Sequence, residues 1–391
     1  MKYQIPFFSL SRQWQNLKSK IQPKINEVLE SQQYIGMSNN KFVKDFEEKL
    51  AKYLKVKHVI ACNSGTDALW LAVKALNLKE NEIVITTPFS FIASASEIIA
   101  CKGNAVFLDV DPETYNISPL VLENWLTKNA TIKNNVAVHN ETGFPIKGLI
   151  AVNIFGQCAD FEAINKIAKK WNLWVIEDCA QAIGSHINGK MAGSLGTIST
   201  LSFYPTKNLG AFGDAGAVCT NDNELAKRAS MLRNQGRESA YNYIEYGINS
   251  RLDGIQAAVL SEKLDFLGEF NNNRRKIAKQ YNEQLKGIKQ LHLPKEKIGF
   301  HTYHQFPVII DDQLRTQLIE HLTQNNIGSN TFYPEALSNF KFLQTNEKLK
   351  TSCPITEELT KNILDLPIWP ELTTDEINYI CDVIKDFFNK I

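Results

Sequence analysis

Between residues 58 and 110 the chain repeats one pattern: a short, wholly apolar run, then a longer amphipathic one. HVIAC (58–62) precedes DALWLAVKALNL (67–78), EIVITTP (82–88) precedes FIASASEIIACKG (91–103), and AVFLDV (105–110) follows. The series resumes with GLIAVNIF (148–155), DFEAINKIAKKWN (160–172) and LWVIEDCA (173–180). Strands that alternate with helices need crossover connections, so the pattern predicts an α/β fold with a mostly parallel sheet. Because the strands are apolar throughout, both faces of that sheet should be covered by helices. After Asp253 the character changes. IQAAVLSEKLDFLGEF reads as one long amphipathic helix, followed by a polar helix and the strand-like YHQFPVII (303–310). A chain of 391 residues is long for one core. The expected division is a large α/β domain over 1–250 and a smaller C-terminal α+β domain over 251–391. The polar stretch 127–147 reads as a loop or insertion.

Composition narrows the function. A formal net charge of +1 argues against broad binding to nucleic acid or an anionic membrane, both of which need concentrated positive charge. The run Asn273-Arg274-Arg275-Lys276 reads as a solvated helix face. Seven cysteines, with no CxxC pair and no His spacing suited to zinc, read as reduced, buried small hydrophobes, and no metal is expected. The N-terminal MKYQIPFFSLSRQW turns polar too soon for a signal peptide, and no apolar run is long enough to span a bilayer. A reducing cytoplasm is the expected location.

In an open α/β sheet, side chains converge at the carboxyl ends of the strands. Four features of the sequence fall there. HVIAC leads into Asn63-Ser64-Gly65-Thr66-Asp67 and a helix, either an ordinary N-cap or a start whose free amides and dipole hold an anion. WVIED leaves Glu177 and Asp178 at a strand end inside an apolar run, where a carboxylate needs a partner; a salt-bridged strand terminus would fit equally. Phe89 and Phe91 follow another strand, as core residues or as a stacking platform. Lys207 follows LSFYPT and precedes glycines at 210, 213 and 216, whereas most lysines are solvated.

One chemistry uses all four together. A cofactor aldehyde needs a lysine amine, its pyridine ring needs a carboxylate to stay protonated and an aromatic face to rest on, and its phosphate suits a helix N-terminus. That cofactor is pyridoxal 5′-phosphate. The glycines would then let the backbone approach cofactor and substrate closely. A dinucleotide-binding reading fails, because no GxGxxG opens the first strand–helix turn.

From IPFFSLSRQW through NSGTDAL, VFLDVDPETYNI, VNIFGQCADFEAI, VIEDCAQAIGS, SFYPTKNLGAFGDAGAV and GINSRLDGIQAAVL to LDLPIWPELT, the chain resembles the DegT/StrS family. These are pyridoxal phosphate-dependent sugar-nucleotide aminotransferases with the type I aspartate aminotransferase fold. The resemblance implies that Lys207 carries the cofactor aldehyde, Asp178 pairs with the pyridine nitrogen and Gln181 bonds the ring hydroxyl. It also implies that Phe91 stacks on the ring and that Gly65, Thr66 and Ser202 hold the phosphate. Asn249 of GINSRLD would reach a phosphate in a neighbouring subunit, which implies a homodimer with shared sites. The implied reaction moves an amino group from L-glutamate to a keto sugar nucleotide, at C3 of a UDP- or dTDP-linked sugar, in amino-sugar or cell-surface polysaccharide synthesis. A C4-acting aminotransferase, or a sugar lyase or dehydratase, is the alternative; retention of Lys207 speaks against the dehydratase branch. Two segments depart from the family pattern. Arg233-Asn234-Gln235-Gly236-Arg237 lacks a frequent His, and Tyr333-Pro334-Glu335-Ala336-Leu337 replaces a Tyr-Pro-x-Pro-Leu-His type segment.

Overall fold

The computed structural model describes residues 3–36 and 40–391. Its first strands are β1 (His58–Cys62), β2 (Ile83–Thr86), β3 (Asn104–Phe107), β4 (Ala130–Lys133), β5 (Val136–His139), β6 (Pro145–Val152) and β7 (Trp174–Asp178). There follow a small pair, β8 (His186–Ile187) and β9 (Lys190–Met191), then β10 (Ile198–Ser202) and β11 (Gly216–Thr220). The main sheet runs β1-β11-β10-β7-β6-β2-β3, with β11 antiparallel to both its neighbours and β10, β7, β6, β2 and β3 parallel. Successive side chains alternate between faces. Val59, Ala61, Ile83, Ile85 and Val175 enter one buried cluster, while Ile60, Cys62, Val84 and Ile176 enter another. Helices cover both faces, as expected of strands without polar alternation.

On the first face lie α1 (Ser11–Ser31) and α2 (Lys41–Leu54), against which a later helix over Gly254–Leu264 packs. The other face carries α3 (Gly65–Ala75) and α4 (Ala93–Ala100). Next in the chain come α5 (Pro119–Asn129), α6 (Phe161–Trp171) and α7 (Asn223–Leu232). Capping residues start several of them: Ser64 accepts from the Asp67 amide, Ser118 from Val121 and Asp160 from Ala163. After α7 comes a short hairpin, β12 (Arg237–Ser239) and β13 (Asn242–Tyr243).

Three local expectations are corrected. The stretch 127–147 is no plain loop. β4 and β5 form a hairpin that pairs with the start of β6, turned by Asn134 and Asn135, both at positive φ. IQAAVLSEKLDFLGEF is two helices, α8 (Gly254–Leu264) and α9 (Leu267–Leu285), separated where the Phe266 amide bonds back to the Lys263 carbonyl. Arg274 is not a solvated side chain: it is 2% exposed, and its Nη1 donates to the carbonyls of Tyr303, His304 and Ile368. Polar neighbours in sequence hid an inward-facing position of α9.

A second core gathers Ile277, Tyr281 and Leu285 of α9 around the antiparallel pair β14 (Phe306–Ile309) and β15 (Ile363–Leu366). Helices α10 (Asp312–Gln324), α11 (Pro354–Asn362) and α12 (Thr374–Asn389) complete this end of the chain. Leu252, Ala257, Leu260, Leu264 and Leu267 still belong to the first core, so the change of core falls within α9. Ile5, from the opposite end of the chain, joins the second core through a parallel bridge to Ile327. All seven cysteines are free and buried. Among the described residues no helix is long and apolar enough to cross a membrane.

Candidate active site

A cavity of about 650 Å³ opens at the carboxyl ends of β7 and β10. Its floor is the Asp178–Gln181 segment, where β7 ends, and Ser202, where β10 ends. Ser64, Gly65 and Thr66 enter from the N-terminus of α3, and Ser90 and Phe91 from the loop after β2. Lys207 lies in the turn after β10, its amide bonded to the Tyr204 carbonyl at 2.8 Å. Close backbone approaches hold these pieces together. A Cβ on Gly65 would sit 2.6 Å from the Ser202 Cβ, so only glycine lets α3 begin against the end of β10. The glycine loop serves the same end. A Cβ on Gly210 would meet the Pro205 carbonyl oxygen at 2.3 Å and one on Gly216 the Ser64 carbonyl oxygen at 2.2 Å. Gly210, Gly213 and Gly216 do not line the cavity, which corrects the expectation that they admit cofactor and substrate.

The electrostatics follow from burial. Asp178 is 5% exposed; one carboxylate oxygen accepts from the Ala180 amide at 3.1 Å. Burial raises its pKa to about 6, against the opposing pull of that amide and of Lys207. The Lys207 amine is lowered by burial to about 8, with Asp178 pulling it back up. Glu177, next to Asp178, points to the other side of the sheet and is fully buried. Asn153 Nδ2, the Gly193 and Leu195 amides and Ser199 Oγ, each at 2.8–2.9 Å, saturate it. The strand's alternation thus separates a carboxylate that organises loops from one that faces the cavity.

Gln181 is pinned at both ends of its amide, accepting from the Phe155 amide at 2.8 Å and donating to Tyr333 Oη at 2.9 Å. Phe91 is 56% exposed at the cavity, whereas Phe89 is fully buried among Tyr115, Phe155 and Tyr333. Asn249 stands apart from the other candidates: it is exposed, outside the cavity, and its backbone pairs with Asn234. Arg233, in one of the departing segments, is turned away as well, paired with Glu47 at 2.6 Å.

Sequence reasoning missed the opposite wall, made by Phe7 and Phe8 near the N-terminus and by His304, Asn330, Phe332 and Tyr333 of the C-terminal part. The Tyr333-Pro334 segment carried a signal, as a place where the family pattern is altered, and Phe7 and Phe8 lay within the IPFFSLSRQW motif, to which no site role was given. Phe332 and Tyr333 are joined by a cis peptide bond.

The donor set fits pyridoxal 5′-phosphate. Among the described residues the Lys207 amine has no hydrogen-bond or ion-pair partner, and one Asp178 oxygen has none. The Gly65 and Thr66 amides at the start of α3 also find no acceptor among the described residues. An aldehyde, a ring nitrogen cation and a phosphate are the three groups that would satisfy them.

Residues 15–385 match the family model for the DegT/DnrJ/EryC1/StrS aminotransferase family. The chain belongs to that family. Within it, dTDP-3-amino-3,6-dideoxy-alpha-D-galactopyranose transaminase of Aneurinibacillus thermoaerophilus is 38% identical, over 98% of this chain and 99% of that one. UDP-2-acetamido-2-deoxy-3-oxo-D-glucuronate aminotransferase of Pseudomonas aeruginosa is 35% identical, over 98% of this chain and all of that one. Among solved structures, NtdA of Bacillus subtilis with bound cofactor PMP matches with a TM-score of 0.87 at 28% identity, covering 99% of this chain and 85% of that one. The mostly parallel sheet with helices on both faces is therefore the fold of these aminotransferases.

Proposed function

We propose that this aminotransferase uses pyridoxal 5′-phosphate to move an amino group from L-glutamate to C3 of a UDP- or dTDP-linked 3-keto sugar. The observation that carries the reading is the unpartnered Lys207 amine in one cavity with the half-satisfied carboxylate of Asp178. When bound, the cofactor supplies an electron sink for a carbanion and carries the amino group between the two substrates. The protein supplies the rest. Asp178 holds a proton on the ring nitrogen, Gln181 offers its remaining Nε2 hydrogen to the ring hydroxyl, and Phe91 covers one ring face. Gly65, Thr66 and Ser202 bind the phosphate at the positive end of α3.

Lys207 has two tasks. Its amine would hold the cofactor aldehyde at rest and, when free, would take the proton from the α-carbon of glutamate. The same nitrogen later returns a proton to C3 of the sugar. An amine that ionises near pH 8 suits both directions, since proton transfer is most effective when the pKa lies near the working pH. Both relatives named above act, by their names, on 3-amino or 3-oxo sugars, which supports C3. Asn249, exposed and outside its own cavity, is assigned to the phosphate of a second subunit, which makes the working form a homodimer.

Two measurements test the reading. Borohydride reduction should leave the cofactor on the peptide containing Lys207; attachment to another lysine overturns the assignment. Starting from the pyridoxamine form, 3-keto sugar nucleotides should restore the aldehyde absorbance and 4-keto sugar nucleotides should not. The opposite result reassigns the carbon.

A further inference from the structure

Lys263 is a buried cation that none of the roles above uses. It is 1% exposed, and its Nζ donates to the Gly210 carbonyl at 2.6 Å. Gly210 belongs to the turn after Lys207, a stretch that begins and ends in the cavity, with Lys207 at one side and Asp214 and Ala215 at the other. Two further polar side chains hold the same turn. Gln256 Oε1 accepts from the Phe212 amide at 2.8 Å, and Asn271 Oδ1 accepts from Asn208 Nδ2 at 2.8 Å. Asn271 is itself directed by the Ile183 carbonyl, to which its Nδ2 donates at 3.0 Å. The three bonds make an antiparallel seam, in which residues 208, 210 and 212 of the turn meet residues 271, 263 and 256 of α9 and α8. Between them Leu209 and Ala211 are fully buried in the first core. Gln256 and Lys263, seven residues apart, stand two helical turns from each other on one face of α8.

The turn needs support from outside. From its own neighbourhood in sequence it has the bond of the Lys207 amide to Tyr204 and that of the Ala211 amide to the Phe203 carbonyl, each 2.8 Å. Its glycines at 210 and 213 lose more freedom on ordering than any other residue type. An ammonium is a costly support. Lys263 gives up its hydration for one carbonyl, the face of the Phe212 ring at 5.4 Å and the charge of Glu371. An apolar side chain of similar length would avoid that loss but could not hold the carbonyl. What the charge supplies is a fixed place for the turn.

We propose that Gln256 and Lys263 are positioning residues: with Asn271 they fix the turn 207–214 on α8 and α9, and thereby set where the Lys207 amine stands in the cavity. Misplacing a reacting group by about 1 Å can cost about a hundredfold in rate. Because α9 runs on into the second core, the seam also holds the lysine in register with the wall that this end of the chain contributes. The inference rests on the proposed function in taking the Lys207 amine as the working group.

The first test uses the full-length, cofactor-free protein. Competitive acetylation with peptide mass spectrometry reads the pH at which Lys207 becomes reactive, about 8 in the wild type. Gln256→Leu changes no charge and removes one bond at the more exposed end of the seam. Water admitted to the loosened turn should raise the midpoint by about one pH unit, a tenfold change in the ionisation constant. The second test follows single turnovers of the cofactor-loaded enzyme with glutamate. Lys263→Met and Gln256→Leu should each lower the limiting rate by about tenfold or more at an unchanged half-saturating concentration. Gln256→Glu, which keeps an acceptor for the Phe212 amide, should recover the rate. A purely structural role would lower stability and leave the limiting rate alone. An unmoved Lys207 midpoint in Gln256→Leu overturns the proposal, as does an unchanged limiting rate, or a Gln256→Glu variant no better than Gln256→Leu. Should Lys263→Met not fold, the two Gln256 variants decide. Borohydride attachment at another lysine would sink the proposed function while leaving the acetylation readings unchanged.

Discussion

Asp178 is where burial and charge conflict most directly. Its pKa of about 6 lies above that of an ordinary carboxylate, so lowering the pH through 6 protonates it and removes the charge that would hold a cationic ring. Cofactor affinity is therefore expected to fall about tenfold per pH unit below about 6, and Asp178→Asn should abolish that dependence. Absorbance titration of cofactor-free protein at a series of pH values measures both. Asp178→Ala should also lose about 3–5 kcal/mol of transition-state stabilisation, read in single-turnover rates with glutamate. The meeting of Lys207 and Asp178 was legible in the sequence because each sits at or just beyond a strand end, where local order alone predicts convergence, whereas Gln181, and Phe91 rather than Phe89, rested on the family resemblance. His304 and Tyr333 were not legible, since their place at the cavity depends on how the second core docks, and no periodicity encodes that.

Strands and loops were legible where burial repeats. HVIAC is β1 residue for residue, because an apolar run bounded by polar residues has one way to lie in a covered sheet. The β4–β5 hairpin was missed because its strands are short and β4 is mostly exposed, although the Asn134-Asn135 pair is a turn signal. Glu177 shows how one side chain can organise several elements: four donors, from β10, the 193–195 loop and the residue after β6, meet on it. Glu177→Gln would turn an NH₂ against two of those donors. The expected cost is about 1–3 kcal/mol, seen as a lower denaturant midpoint with an unchanged slope. An unchanged midpoint would mean that the carboxylate is already protonated.

At the scale of the molecule, two tyrosines stand out for their exposure, although Tyr246 sets its ring edge-on to Trp70. Tyr241 is 90% exposed and Tyr246 is 75% exposed, both beside the β12–β13 hairpin that leads to Asn249. A homodimer that covers them is expected to run at twice the 44.3 kDa of one chain in light scattering. Mixing Lys207→Ala with Asn249→Ala protein should recover activity, because each mixed dimer rebuilds one intact site. No recovery after proven subunit exchange would place Asn249 outside the shared site.

The cavity draws its walls from both ends of the polypeptide. Phe7 and Phe8 reach it because Ile5 is zipped to Ile327, and Ile368 closes the same space. During synthesis on the ribosome, Lys207 emerges long before that far wall exists. Closure of the cavity must accordingly wait for the finished chain, and a nascent protein stalled at residue 300 would leave the Lys207 amine unshielded on the side that Asn330, Phe332, Tyr333 and Ile368 come to cover.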